Sequence, residues 1–323
     1  MSNYIEKAEG ENRNQVTVDK SNPNGIWVIN ATIHGEKVPP ISVFNIRNNS
    51  HKPNIAKALV SGDPVCAFGI GNYGLAIGIE DPRRGRTPHV WEGWWKFKPE
   101  RPSDNKVPML LPWKHWSRVI DKRKTHPKVR PLFEYENLQR LFREGIVFHV
   151  KAETFDIAPH IDSRAFIQVE NGKRMVSVLL WDDPDLYEVA DLAYRQDPQV
   201  IVGISSYNPH GENPAFTFEE VIDQIKKTGR IGFKYCVRDS LCEGFVKSSM
   251  AIFVVEGDHF YEQRRGSISA ERFLAATHLN TYIRTDAEPN YAGRDHPKEE
   301  MLDSKVELIQ KLAYRDRSLR KRT

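Results

Sequence analysis

Cysteine is scarce: the 323 residues contain three, Cys66, Cys236 and Cys242. That is too few for a disulfide scaffold, and Cys236 and Cys242 lack the CxxC spacing of a zinc site. Buried free thiols are expected, and no dedicated metal site. Long apolar runs are absent too. No stretch approaches the roughly 18 apolar residues of a membrane-spanning helix, so no membrane partner is expected. Neither charge dominates: the formal net charge is +4, which by itself identifies no polyanionic partner. There is no internal repeat and no low-complexity tract. Met1 to Asn24 is polar and carries acids, without the apolar core of a secretory signal or the acid-poor, Arg-rich look of a transit peptide. The expected location is the cytoplasm.

What is present is a globular composition, 39% hydrophobic, enough to bury a core. The chain alternates strand and helix signals, which points to an α/β sheet. Gly25 to Thr32 and Ile41 to Ile46 read as strands. Pro53 to Val60 reads as a helix with proline in its first turn, where a missing N–H is harmless. Asp63 to Phe68 reads as a buried strand, followed by a loop with Gly69, Gly71 and Gly74 and a strand over Leu75 to Ile79. Asp81 to Pro131 holds Trp91, Trp94, Trp95, Trp113 and Trp116 among prolines and cations. It reads as long loops with a short helix near Trp113 to Ile120. Further on, Asn137 to Arg143 reads as a helix, and Ile146 to Val150, Ala165 to Val169 and Met175 to Leu180 as strands. Pro184 to Tyr194 is a helix with acids in its first turn, where the macrodipole favours them. Val200 to Ile204 is an apolar strand, and Phe216 to Lys227 a helix starting at Thr217. Ile231 to Cys236 and Ser249 to Val255 are strands. Leu302, Val306, Ile309 and Ala313 recur at helical spacing. Two basic runs, Lys122 to Arg130 and Arg315 to Arg322, read either as solvated surfaces or as phosphate-attracting patches.

One motif carries chemistry. Strand Val200 to Ile204 runs into Ser206-Tyr207-Asn208, with Gly211 three residues on. A strand end of this kind offers backbone amides and short polar side chains to phosphate and ribose oxygens. Other phrases occur in a fixed order around it: Tyr73-Gly74-Leu75 after the glycine loop, Lys96-Phe97-Lys98-Pro99-Glu100-Arg101-Pro102, Pro108-Met109-Leu110, and Trp181-Asp182-Asp183-Pro184. After the motif come Gly244 to Ser249 and Arg264-Arg265-Gly266-Ser267-Ile268. From Lys57 to Ser269 this order resembles the YrdC/Sua5 family.

The resemblance implies a YrdC-like α/β domain over residues 25–285, a twisted mixed sheet with flanking helices and a concave basic face. The Trp-rich segment 81–131 would be an insert, 1–24 a flexible arm, and 286–323 a linker with a basic C-terminal helix. It implies ATP-dependent formation of a carbamoyl-type adenylate with release of pyrophosphate. The inputs would be an amine or amino acid with bicarbonate, or carbamoyl phosphate, and Mg²⁺ would accompany ATP. By resemblance, Lys98 and Arg101 would hold phosphates, and Ser206, Asn208, Ser248, Ser249 and Arg264 would complete the nucleotide pocket. Gly69, Gly71 and Tyr73 would shape the substrate pocket. A partner protein that carries the labile product onward fits the same scheme.

The match has departures. The family's threonine loop carries hydroxyl and acidic residues where this chain has Gly69, Ile70 and Gly71. A site that loses those groups loses its discrimination for a hydroxyl, so an amine other than threonine is expected. Lys98 and Arg101 are spaced one residue wider than in the family, and the arginine usual on the strand before Asp-Pro is Leu179. Two other classes stay open. His160-Ile161-Asp162 with His210 has the order of an HxD…H iron triad, as in 2-oxoglutarate oxygenases. The tryptophans beside Lys114, Arg118 and Lys122 to Lys124 could stack bases while the cations meet phosphates, as in an RNA-binding protein.

Overall fold

The computed structural model describes residues 14–69, 71–80, 106–158, 160–208, 213–244 and 250–288. The chain opens with strands β1 (Gln15–Asp19), β2 (Trp27–Ile33), β3 (Glu36–Lys37) and β4 (Ile41–Asn45). Helix α1 (Lys52–Val60) follows, then the hairpin β5 (Val65–Phe68) and β6 (Tyr73–Glu80). Three short 3₁₀ turns over Trp113–Arg118, Lys122–Lys124 and Arg130–Phe133 lead to α2 (Tyr135–Arg143) and β7 (Phe148–Glu153). Next come the single turn α3 (Ser163–Phe166), β8 (Gln168–Glu170), β9 (Lys173–Leu180), α4 (Pro184–Gln196) and β10 (Val200–Ser206). The described chain ends with α5 (Phe218–Thr228), β11 (Tyr235–Arg238), β12 (Ile252–Glu256), β13 (His259–Arg264), α6 (Ala270–Thr277) and β14 (Ile283–Glu288).

The strands form two mixed sheets. The first runs β1-β2-β4-β11-β5-β6-β10, with β3 on β2; the second runs β14-β13-β12-β7-β9-β8. The β4, β11 and β5 strands are parallel, which the intervening helices make possible. With its chain neighbours, Met109 stitches the two sheets together. Its N–H donates to the Ser177 carbonyl at 2.8 Å, while the Leu110 N–H donates to Val202 at 2.8 Å on the other side. One apolar cluster packs α1 and α4 against Phe44, Val65, Ala76 and Val202. A larger one fills the rest of the molecule around Val221, Phe253, Phe260 and Phe273.

Local sequence explains the helix ends. Asp183 caps α4 by accepting from the Asp185 and Leu186 N–H groups at 2.9 and 3.2 Å, with Pro184 in the first turn. Thr217 caps α5, accepting from the Glu220 N–H at 3.2 Å, and Glu220 reaches back to the Phe216 N–H at 2.5 Å. That is a variant of the capping box, shifted one residue outward. Gly229 then ends α5 with a left-handed φ of 65°.

Three expectations need correction. Part of the supposed N-terminal arm is β1, which pairs with β2 along its whole length from Gln15↔Thr32 to Asp19↔Val28. Ala165 to Val169 is not one strand: Asp162 accepts from the Arg164 N–H and turns residues 163–166 into α3 before β8 begins. The strand expected over Ile231 to Cys236 begins only at Tyr235. The twisted mixed α/β sheet with flanking helices is as expected. No helix among the described residues is long and apolar enough to cross a membrane. The basic C-terminal helix lies outside the described residues.

Candidate functional site

The glycine loop and the Ser-x-Asn segment lie side by side. The β5–β6 hairpin closes with the Gly69 N–H donating to Asn72 O at 3.0 Å. Gly71 has a φ of 97°, a conformation that a side chain would resist. On the far side of β6, Ser206 stands in register with Gly74 and Ser205 with Leu75. A Cβ at Gly74 would come within 3.0 Å of the Ile204 side chain and 3.1 Å of the Ser205 carbonyl. Glycine there lets the two strands close up beneath the motif.

Strand alternation then sorts the motif's side chains. Tyr207 is buried, donates to the Arg230 carbonyl at 3.1 Å and meets Phe233 edge-on. Ser206 and Asn208 on either side of it are half-buried. Backbone bonds fix the position: the Tyr207 N–H donates to Tyr73 O at 2.8 Å, and the Tyr73 N–H to Ala215 O at 2.7 Å.

Tyr73 does not line an open pocket. Its side chain is 0% exposed, and its hydroxyl donates to Glu243 Oε1 at 2.8 Å. Glu243 also accepts from the Asp239 N–H at 2.7 Å and the Phe218 N–H at 3.3 Å. Burial raises the Glu243 carboxyl, against the pull of these donors, and burial first of all lifts the Tyr73 phenol well above its ordinary range. Tyr73 is a brace for the loop that follows β11, not a wall of the substrate pocket.

Sequence reading missed the hub beside this loop. Arg47 Nη2 donates to Asp183 Oδ2 and to Asp239 Oδ2, each at 2.5 Å, and Nη1 reaches Asp185 Oδ2 at 2.7 Å. Cys242 Sγ is 3.3 Å from Nη2. Buried Lys52 adds contacts to Asp185 at 2.5 Å and Glu188 at 2.8 Å. Burial disfavours the Arg47 charge, but Asp183 and Asp239 more than offset it and the guanidinium is held above its ordinary range. The hub ties the β4–α1 turn, the start of α4 and the loop after β11 into one unit. The Trp181-Asp182-Asp183-Pro184 phrase marks one corner; nothing local marks Arg47 or Asp239 as its partners.

Asp183, Asp239 and Cys242 are also the described group whose ligand atoms lie close enough to share a metal ion, within 4.8 Å. The Arg47 guanidinium already bonds all three, so the group does not fit Mg²⁺. The three cysteines are buried and unpaired by disulfides.

Arg264 sits at the end of β13 and donates from Nη2 to Met250 O at 2.8 Å. Lys98, Arg101, Ser248 and Ser249 lie outside the described residues, as do Ile70, His210, Gly211 and three of the tryptophans. Leu179, in place of the family's arginine, is buried in the α1–α4 cluster.

The rival constellations fare as follows. Asp162 is a helix cap, with both oxygens taken by Arg164, and His160 Nε2 is 3.0 Å from the Arg118 carbonyl. Both members of the pair serve local structure. Trp113 and Trp116 are buried at 7% and 1% exposure, so neither can stack on a base. Four of the five adjacent cations are ion-paired, Lys122 with Glu134, Arg123 with Asp121, Lys124 with Asp156 and Lys114 with Asp191, and Arg118 donates to the Pro198 carbonyl at 2.9 Å.

The architecture is that of a twisted mixed α/β sheet bearing a strand-end Ser-x-Asn segment beside a glycine hairpin. No family model matches the sequence, and no curated protein matches it. Solved structures do resemble it. P. abyssi Sua5 complexed with L-threonine has a TM-score of 0.53 at 13% identity, covering 85% of this chain and 77% of that one. A double-alanine variant of P. abyssi Sua5 gives 0.52 at 12% identity, covering 75% of this chain and 65% of that one. The chain thus spans about two thirds of that relative's length. E. coli YciO gives 0.48 at 12% identity, covering 72% of this chain and 98% of that one. The protein has a divergent YrdC/Sua5-like fold.

Proposed function

We propose that the protein is an enzyme that uses ATP to form a carbamoyl-type adenylate. The observation that carries this reading is the placement of Ser206 and Asn208, half-buried on the lip of β10 beside the Gly69–Asn72 turn, on a sheet of the YrdC/Sua5 type. Ser206 and Asn208 hold the nucleotide, and Lys98 and Arg101 hold its phosphates. A carbamate oxygen attacks the α-phosphorus; the carbamate comes from an amine and bicarbonate with loss of water, or from carbamoyl phosphate hydrolysed with loss of inorganic phosphate. The new P–O bond forms as the bond to the β-phosphate breaks, and pyrophosphate leaves with the electron pair. The cations steady the charge that develops on the departing oxygens.

A site not specific for threonine is expected. The Sua5 structure holds L-threonine, but Gly69, Ile70 and Gly71 carry no side chain that could bond a hydroxyl, and Leu179 brings no charge. A second input, carbamoyl phosphate, would need no amine pocket at all.

The test mixes the full chain with ATP, Mg²⁺ and ¹⁴C-bicarbonate against a panel of amino acids and small amines, with carbamoyl phosphate as a separate arm, and follows pyrophosphate. Amine-dependent release with label in an AMP adduct supports the reading and names the amine. Release only with carbamoyl phosphate selects that input. ATP binding without release in any arm refutes the chemistry and leaves a nucleotide-binding protein.

A further inference from the structure

The register of the second sheet sets Arg264 on β13 opposite Ile252 on β12, Ile252 opposite His149 on β7, and His149 opposite Leu179 on β9. Directly opposed residues project from the same face. Lys151, two residues along β7, projects from that face as well. An imidazole and two cations therefore share one side of the sheet.

His149 is the odd member. It is 7% exposed, and its Nε2 is buried with no hydrogen-bond partner among the described residues. Its cross-strand neighbours Ile252 and Leu179 have no polar side-chain atom to offer. Arg264 and Lys151, by contrast, have recorded contacts: Arg264 with Met250 O at 2.8 Å, Lys151 with Glu170 Oε1 at 2.9 Å and Gln168 Oε1 at 3.4 Å. A buried ring nitrogen without a partner is a standing cost that an apolar side chain would avoid. On a face shared with a cation, a ligand contact would satisfy that nitrogen.

We propose that His149 and Arg264 form an anion subsite in which the imidazole hydrogen-bonds a phosphate-type group and the guanidinium supplies the opposing charge. The identity of that group as a nucleotide or pyrophosphate phosphate rests on the preceding functional reading. Burial first, then the charges of Arg264 and Lys151, hold the free imidazole well below its ordinary range. The residues directly opposite it, Ile252 on β12 and Leu179 on β9, are uncharged; farther along the same face Glu170 pairs with Lys151 and Glu153 with Lys173. Glu262, also on β13, pairs instead with Phe253 across a register shift. An arriving anion reverses the sign of the local field. Binding is therefore accompanied by uptake of a proton from solvent onto His149.

Imidazole ¹H–¹⁵N spectra of the full chain test this, titrated over pH with inorganic pyrophosphate and, separately, with ATP. His149 is assigned by the signals lost in His149→Gln, or through its backbone connectivity should that variant not fold. The expected result is a His149 midpoint that rises by about one pH unit or more when either ligand saturates the protein. Binding that leaves the His149 midpoint where it was overturns the subsite, as does the absence of binding by both ligands. The two readings fail separately. Adenylate formation with an unresponsive His149 sinks the subsite alone, and a responsive His149 with no adenylate in any arm sinks the chemistry alone.

Discussion

The Tyr73 hydroxyl donates to Glu243 across 170 residues of sequence, at 2.8 Å. It joins the first residue of β6, next to the glycine hairpin, to the loop after β11. Tyr73→Phe keeps the ring and its edge contact with Phe68 but removes one of three donors to a half-buried carboxylate. The variant should lose about 1–3 kcal/mol of unfolding free energy, measured by urea denaturation at neutral pH. An unchanged midpoint would show that the bond contributes nothing.

Arg47 neutralises carboxylates that cannot stay charged alone. Asp183 and Asp239 are both buried, and burial already raises Asp183 despite the arginine beside it. Arg47→Met should cost about 3–5 kcal/mol. Arg47→Lys should recover only part of that, because an ammonium cannot span the fork that a guanidinium fills. Denaturant midpoints of the two variants, compared with the parent, decide the ranking.

Gly78 marks where α1 touches the sheet. A Cβ there would stand 1.9 Å from the Leu59 carbonyl oxygen and 2.8 Å from Val200. The obstacle is helix backbone, which cannot swing aside. Gly78→Ala should lose about 1–3 kcal/mol or more; a thermal midpoint equal to the parent's would contradict this packing.

His149 predicts a pH dependence whose sign is fixed. Its folded midpoint lies below the unfolded one, so below about pH 6.5 the unfolded chain binds a proton that the folded chain does not. Stability from this group is complete above the unfolded midpoint and falls as pH drops towards the folded one, by up to about 1.4 kcal/mol per pH unit. Denaturation curves between pH 4.5 and 7.5, in steps of about half a unit, should show a shallower acid slope for His149→Phe than for the parent. Parallel slopes would rule the effect out.

The proposed nucleotide contacts should separate activity from folding. Ser206→Ala, Asn208→Ala, Lys98→Ala and Arg101→Ala are each expected to lower pyrophosphate release about a hundredfold or more, with thermal midpoints close to the parent's. Full activity in all four variants would remove these residues from the site.

The sequence by itself determined the elements whose signals are local. The proline start of α4 with acids in its first turn, the threonine start of α5 and the apolar β10 running into Ser206-Tyr207-Asn208 all follow from residues within a turn or two of one another. So did the fold type, because several short phrases in a fixed order constrain one topology even when overall identity to a solved relative is 13%. The single-turn α3 was misread because Asp162 acts through a capping bond that strand propensity does not register. Only the tertiary structure decided which distant residues meet. Arg47 finds Asp183 and Asp239 because β4 and β11 are parallel neighbours and α4 starts above them. Tyr73 becomes a brace because Glu243 arrives from the far end of the chain, and His149 shares a face with Arg264 because β12 lies between their strands in one register. Ladder register and long-range packing set these meetings, and neither is written in the spacing of neighbouring residues.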